Sequence, residues 1–144
     1  MTSELDRVAG GRLAADGQRY TGNRRRLVTL LSEQRAPVTI PEILDQAPGL
    51  AQSSVYRNLS VLEKAGVVQR IVTTDEWARY ELAEELTEHH HHLICESCGR
   101  VEDFTVSAAL EHSIDDALSA VAATAGFALD HHRLDLVGRC RACG

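Results

Sequence analysis

The four cysteines of this 144-residue chain form two pairs, each with two residues between its members. The pairs are Cys95 with Cys98 and Cys140 with Cys143. Zinc accepts four soft donors in a tetrahedron, so four thiolates in two such pairs are the ligand set of a closed structural site. The spacing therefore predicts a structural zinc ion. A disulfide or a redox-active CxxC motif is the alternative, but a redox motif would leave one pair without a role.

Four consecutive histidines precede the first cysteine pair. If they are extended, alternate side chains point to opposite faces of the strand. His89 and His91 then share one face, while His90 and His92 share the other. The run therefore predicts two separate metal sites. His132 is a further candidate, because imidazole is a common ligand of zinc and of other transition metals.

Charge is distributed unevenly along the chain. Residues 1–72 contain ten Lys and Arg against seven Asp and Glu, whereas residues 73–144 contain five against fourteen. The first half is suited to an anionic partner and the second, which holds every histidine and cysteine, to cations. We find no signal-peptide pattern and no run of roughly 20 apolar residues. We therefore expect no membrane span and a reducing, cytoplasmic location.

The first half contains the pattern of three helices. Residues 1–18 lack clear periodicity, and we expect a flexible arm there. Apolar periodicity then predicts a helix beginning near Asn23 and a second one capped by Thr39. The third helix is predicted over about residues 52–65, with Ser53 as its N-cap.

Two β-rich runs, residues 67–72 and 77–82, follow these helices and predict a hairpin. Three helices followed by a hairpin form a winged helix, in which the third helix enters the major groove of DNA. For the third helix taken alone, the alternative is that Tyr56 belongs to the core and Arg57 is a solvated surface charge. The candidates for DNA contact, drawn from the first helix and the outward face of the third, are Arg24, Gln52, Ser53, Tyr56 and Arg57.

The second half predicts a small α/β unit. A short strand is expected over residues 100–104, a helix over 107–125 and a last strand over 128–137. We therefore expect two domains, residues 1–83 and 84–144. The predicted helix carries an apolar stripe made by Leu110, Ile114, Leu118 and Val121.

These motifs together resemble the ferric uptake regulator (Fur) family. The segment from His89 to Phe104 looks like the family's signature, and residues 54–57 and 132–136 provide further matches. The resemblance implies an α+β fold, with an N-terminal winged helix-turn-helix domain followed by an α/β dimerisation domain that holds structural zinc. It also implies a homodimeric, metal-dependent transcriptional repressor that binds a pseudo-palindromic operator in double-stranded DNA.

The resemblance assigns His90 and His92 to the regulatory metal site. Iron and peroxide sensors of the family usually add a histidine from the N-terminal domain, but the corresponding place here is near Pro37, which cannot bind metal. By the same resemblance Glu81, which follows Tyr80 as in the family's iron sensors, is the leading third ligand, and Glu85 is the next candidate.

The other histidines are assigned by the same resemblance to a second metal site. His89 and His91 would join His132 and a carboxylate on the helix. Glu111 is the preferred carboxylate, and Asp115, one helical turn later, is the alternative.

Zinc and iron(II) are the two candidates for the regulatory metal. Iron and peroxide sensors often have an aspartate where this chain has His91, so the chain leans toward the zinc-uptake branch, and zinc ranks slightly above iron(II). Such a repressor would control metal-ion homeostasis genes. A peroxide- or redox-sensing regulator is the alternative. A zinc enzyme is expected less, since the chain has no HExxH motif. A zinc-stabilised interaction module without a DNA role is a further alternative.

Overall fold

The computed structural model describes residues 3–144 and confirms the mixed α+β class. Three of the four helices in the N-terminal half (residues 3–83) and its two longer strands match the predicted winged helix. The elements are α1 (Glu4–Ala15), α2 (Gly22–Ser32), β1 (Val38–Thr39), α3 (Ile40–Gln46), α4 (Gln52–Lys64), β2 (Val68–Ile71) and β3 (Arg79–Leu82). The three strands form an antiparallel sheet in the order β1–β3–β2, and the short β1 was not predicted.

One apolar core holds this half together. Leu27, Ile43, Leu59 and Leu62, from α2, α3 and α4, are at most 1% exposed. Full burial of one such side chain stabilises a fold by about 1.5–3 kcal/mol. The core therefore fixes α4, the predicted recognition helix, against the other two helices of the winged helix.

The ends of the helices agree with the sequence in two cases and differ in one. Thr39 caps α3 as predicted, because its hydroxyl accepts from the Glu42 amide and the Glu42 carboxylate accepts from the Thr39 amide. Gly66 follows α4 with a φ of 79°, a conformation that favours glycine. The prediction of Ser53 as the N-cap of α4 is wrong: Ala51 occupies that position, and no side chain caps this end.

The predicted flexible arm is wrong for residues 4–15, which form α1. Ser3 caps the helix, and Ala9 and Leu13 are completely buried against the core. Leu5 packs beside them, so these three residues share one helix face at intervals of four. Met1 and Thr2, which belonged to the same predicted arm, lie outside the described residues.

The C-terminal half (residues 84–144) contains a second three-stranded sheet and one long helix. The elements are a 3₁₀ turn (Glu84–Leu86), β4 (His91–Cys95), β5 (Val101–Phe104), α5 (Ala108–Ala125) and β6 (Asp135–Gly138). The sheet order is β5–β4–β6, in which β4 is antiparallel to β5 and parallel to β6. Strand β6 begins at Asp135, later than predicted, and residues 127–134 are irregular.

Helix α5 has the predicted limits but leaves its apolar stripe uncovered. Ser107 caps it, and Gly126 ends it in a left-handed conformation. None of its residues, all of which the structure describes, is buried, and Leu118 and Val121 are 37% and 64% exposed. No helix between residues 3 and 144 combines the length and the apolarity needed to cross a membrane.

Candidate metal centres and recognition helix

The four cysteines meet at one end of the second sheet. All are free thiols, and their sulfurs lie within 4.8 Å of one another. The Sγ atoms of Cys98 and Cys140 are 3.8 Å apart. A tetrahedron with Zn–S bonds of about 2.3 Å has edges of about 3.8 Å, whereas the sulfurs of a disulfide are about 2.05 Å apart. The spacing of the sulfurs therefore fits a zinc ion and not a disulfide.

The electrostatics of this cysteine cluster also fit a cation. The amides of Cys140 and Cys98 donate to Cys95 Sγ at 3.3 and 3.5 Å, and these bonds lower the pKa of Cys95 to about 6. Hydrogen bonding to the neighbouring sulfurs, Cys140 first, raises the pKa of Cys143 to about 12. Sulfurs this close cannot all ionise unless a positive charge lies between them, and a zinc ion would supply it.

The histidine run divides between two clusters, as strand parity predicts. The junction cluster lies between the two halves of the chain, and the helix cluster lies against α5. Each cluster brings its ligand atoms within 4.8 Å of one another. The junction cluster contains Glu81, His90, His92 and Asp103, and the helix cluster contains His89, His91, Glu111 and His132.

The carboxylate of Glu81 lies at the centre of the junction cluster. Its Oε1 is 2.8 Å from His92 Nε2, and its Oε2 is 3.1 Å from His90 Nε2. Gln69, opposite it on β2, donates to the same carboxylate. Burial acts to raise the pKa of Glu81, but the hydrogen bond to His92 and the charge of His92 outweigh it. The pKa of Glu81 is therefore lowered from its ordinary value. Glu81 is therefore ionised at neutral pH.

Asp103 belongs to this cluster but was not predicted. It lies opposite His92 in the β4–β5 register, and its Oδ1 is 3.6 Å from His92 Nε2. That oxygen is buried and has no hydrogen-bond partner within residues 3–144. Burial, followed by the charge of Glu81, raises the pKa of Asp103 to about 6. A carboxylate with one buried oxygen that makes no hydrogen bond in the described part of the chain, beside a second carboxylate and two imidazoles, fits a divalent cation.

Glu85, the second candidate for this site, lies elsewhere. Its side chain is exposed, and its Oε2 is 4.0 Å from the guanidinium of Arg12 on α1. The structure thus selects Glu81 over Glu85 as the carboxylate that meets the histidines.

Glu111 occupies the centre of the helix cluster. Its Oε2 lies 3.2 Å from His89 Nε2 and 3.0 Å from His132 Nε2, and its Oε1 lies 2.5 Å from His91 Nε2. Burial raises the pKa of Glu111, but the hydrogen bond from His91 and the nearby histidines lower the net pKa. Three imidazoles converge here on one carboxylate, an arrangement of donors that suits zinc.

Two further carboxylates orient the imidazoles of this cluster from outside. Asp115 Oδ1 lies 2.9 Å from His132 Nδ1, and Glu84 contacts Nδ1 of His89. A carboxylate that holds the Nδ1 proton leaves the Nε2 lone pair free for a metal. Asp115, the alternative ligand, thus contacts the Nδ1 side of His132 and not the Nε2 atoms that face Glu111. Glu84 orients His89 in the same way, which was not predicted.

Helix α4 presents a polar face to solvent on the side away from the core. Val55, Leu59 and Leu62 are buried, whereas Tyr56 is 48% exposed. The predicted DNA contacts on this helix are all exposed, namely Gln52, Ser53, Tyr56 and Arg57.

Arg24 does not belong to that surface. Its Nε donates to Oδ1 of the buried Asn58 at 2.9 Å, and its Nη1 donates to the Arg19 carbonyl at 2.8 Å. Asn58 in turn donates to Ser54 Oγ at 3.1 Å. Arg24 therefore positions α4 through Asn58, and its contact with DNA stays a prediction.

Comparisons with known proteins agree with this arrangement. The model of the ferric uptake regulator family matches residues 15–137. The peroxide operon regulator of Bacillus subtilis is 30% identical over 135 residues, which are 91% of this chain and 88% of that protein. Helicobacter pylori Fur, whose structure reveals three functional metal binding sites, superposes with a TM-score of 0.71 at 25% identity. The superposition includes 99% of this chain and 95% of the Helicobacter pylori chain. A zinc uptake regulator complexed with zinc and DNA superposes with a TM-score of 0.54 at 25% identity, covering 97% and 95%.

Proposed function

Because this chain belongs to the ferric uptake regulator family, we propose that it is a homodimeric repressor that binds its DNA operator when a metal ion fills the junction cluster. It is a metal-responsive regulator and not an enzyme. The observation that carries the proposal is the position of Glu81, a residue of wing strand β3 that meets His90 and His92 of the C-terminal half.

A metal ion in the junction cluster would fasten the two halves to each other. Glu81 comes from the N-terminal half, and His90, His92 and Asp103 come from the C-terminal half. Without a cation the two carboxylates repel each other, whereas a divalent ion replaces that repulsion with bonds to both halves. The orientation of α4 relative to the C-terminal half is then fixed, so the metal-bound form binds DNA more tightly. Linkage requires DNA to tighten metal binding equally, by a coupling of roughly 1–3 kcal/mol.

The uncovered face of the C-terminal half supports the homodimer. Leu118 and Val121 on α5, one helical turn apart, are 37% and 64% exposed, and Leu136 on β6 is 47% exposed; clustered apolar side chains left open to water are typical of association surfaces. A second copy of the chain would cover it. A two-fold dimer presents two recognition helices to a pseudo-palindromic operator, with half-sites about one turn of DNA apart.

The other two clusters have separate proposed roles. The cysteines hold structural Zn²⁺, and the helix cluster holds a second ion that secures α5 against the sheet. As the regulatory ion, Zn²⁺ ranks slightly above Fe²⁺, because this chain has His91 in the helix cluster where iron and peroxide sensors of the family often have an aspartate. Metal-ion homeostasis genes are the proposed targets. The relationship to the Bacillus subtilis peroxide operon regulator supports peroxide sensing as the second candidate.

The test begins by selecting a duplex that the metal-loaded protein binds from a random library. Affinity for that duplex is then measured against the free concentration of Zn²⁺, Fe²⁺ and Mn²⁺. Arg57→Ala should weaken metal-dependent binding by about 1–3 kcal/mol if Arg57 contacts a base. If it contacts a phosphate, the loss should be similar on all duplexes, and the salt dependence should become shallower.

The matched control is Arg100→Ala, which removes an exposed arginine of the C-terminal half and should leave affinity unchanged. Failure of the metal-loaded protein to bind any duplex, or equal binding with and without metal, would rule out the proposed function. Unchanged affinity for DNA in a Tyr56→Ala, Arg57→Ala double variant would exclude α4 as the recognition helix.

A further inference from the structure

The turn of the β2–β3 hairpin rests on the first pair of zinc-binding cysteines. The wing turn comprises residues 73–77, and the first knuckle comprises residues 95–99. The Thr74 hydroxyl donates to the Glu96 carbonyl at 2.9 Å, and the Thr73 hydroxyl lies 3.4 Å from the Gly99 carbonyl. The DNA-binding half therefore touches the backbone of the first knuckle through the turn of its hairpin, at the opposite end of strand β3 from Glu81.

Gly99 makes this contact a close one. Its φ is 79°, and a Cβ added to it would overlap the carboxylate of Asp75. That carboxylate is held in place by Arg79, whose Nη1 and Nη2 donate to its two oxygens at 2.9 and 2.8 Å, and by the amide of Trp77 at 3.3 Å. A substitution at Gly99 must therefore displace the wing turn or distort the knuckle.

The knuckle can act as a fixed support because its own backbone is constrained. The Gly99 amide donates to the Cys95 carbonyl at 2.9 Å, and the Cys98 amide donates to Cys95 Sγ. Two sulfurs of this turn would bind one zinc ion, which couples the conformation of the turn to metal binding.

We infer that the first knuckle positions the wing of the DNA-binding domain, so that the cysteine cluster serves DNA contact as well as folding. The hairpin is then held at two points, by Glu81 at the junction cluster and by Thr74 at the knuckle. The second point does not depend on the regulatory metal. This inference rests on the proposed function, because the position of the wing matters only for a protein that binds DNA. Thr74 and Gly99 are its positioning residues.

The chain carries its own probe of this contact. Trp77, its single tryptophan, lies in the wing turn and is 50% exposed. Quenching of its fluorescence by acrylamide can be measured without DNA. Thr74→Val removes the hydroxyl at nearly constant volume, and Thr74→Ser keeps it. Ser97→Ala changes an exposed residue of the same knuckle whose side chain makes no hydrogen bond within residues 3–144.

Thr74→Val and Gly99→Ala should make Trp77 easier to quench. At saturating metal Thr74→Val should weaken DNA binding about three- to tenfold, as expected for the loss of one hydrogen bond. Gly99→Ala should weaken it at least as much, because its Cβ would overlap the Asp75 carboxylate. Zinc content and dimerisation should stay at wild-type values in Thr74→Val. Thr74→Ser and Ser97→Ala should behave like wild type in both measurements.

Thr74→Val with wild-type quenching and wild-type DNA affinity would overturn the inference, even if the wild type binds DNA in a metal-dependent way. If Gly99→Ala loses its zinc, Thr74→Val alone decides the matter. If the wild type binds no DNA at all, the proposed function fails, and Trp77 quenching still decides whether the knuckle holds the wing turn.

Discussion

The two halves of this molecule are stabilised by different chemistry. The N-terminal half buries aliphatic side chains from four helices and a sheet. In the C-terminal half, described completely from residue 84, the buried side chains are Cys95, Val101 and three histidines, His91, His92 and His132. Three imidazoles and one thiol thus make up most of the buried side chains in this half, where the other half buries leucine, isoleucine and valine.

This difference indicates what each half needs in order to fold. Apolar burial can stabilise the first half by itself, because its core is continuous. The second half buries too little apolar surface for that, since α5 and β6 leave theirs exposed. The proposed zinc ion and the proposed second copy of the chain would supply the remaining stability, since binding free energy at a structural zinc site is folding free energy.

The largest predicted effect comes from removing the structural zinc. Cys140→Ser should unfold the C-terminal half and abolish the dimer, because structural zinc contributes apparent free energies of about 10–16 kcal/mol at pH 7 in small zinc-dependent units. The N-terminal half should keep its protected amides. Hydrogen exchange resolved by segment, zinc content and sedimentation test this, with Ser97→Ala as the control. A Cys140→Ser protein that remains dimeric, folded and loaded at the cysteine cluster would show that the two halves do not differ in this way.

A smaller effect should distinguish the two histidine clusters. The junction cluster contains a ligand from each half, whereas the helix cluster lies wholly in the C-terminal half. His90→Ala should therefore lose metal-dependent DNA binding, a coupling of roughly 1–3 kcal/mol. His89→Ala should keep that dependence but lower the stability of the C-terminal half.

DNA affinity against metal concentration, together with thermal unfolding, separates these outcomes. His112→Ala, an exposed histidine of α5 outside both clusters, is the control. If His89→Ala abolished the metal dependence while His90→Ala retained it, the roles of the two clusters would be exchanged.

The smallest predicted effect is confined to the N-terminal half. Thr39→Ala removes the cap of α3 and should cost about 1 kcal/mol. Denaturant unfolding should record this loss, while zinc content stays unchanged. Thr29→Ala, an exposed position within α2, should cost much less. Equal losses in the two variants would mean that the capping hydrogen bonds contribute little.

The pairing of the histidines was predictable because side chains alternate in any extended strand, whatever surrounds it. The clustering of the four cysteines was predictable as well, because two CxxC pairs are by themselves the pattern of a four-thiolate metal site. Both signals are local, so they needed no knowledge of which strands pair or how the two halves pack.

What could not be predicted depends on long-range contacts. Asp103 enters the junction cluster only through the register of β5 against β4. Arg24 stands in a run of three arginines, and sequence alone does not show that its side chain turns inward to Asn58. Helix α1 was missed because Gly10 and Gly11 weaken the local helical pattern, while burial of Leu13 in the core compensates.

The separation of the cysteine pairs has a consequence for the timing of synthesis. The second pair begins 42 residues after the first one ends, and β6, which leads to it, pairs with β4 beside the first pair. A ribosome that adds about 5–20 residues per second makes the first pair wait about 2 to 8 seconds for the second. During that interval the nascent chain exposes two thiols that cannot yet enclose an ion. The proposed zinc ion could therefore be fully coordinated only after β6 has emerged, so its binding would follow synthesis of the whole second sheet.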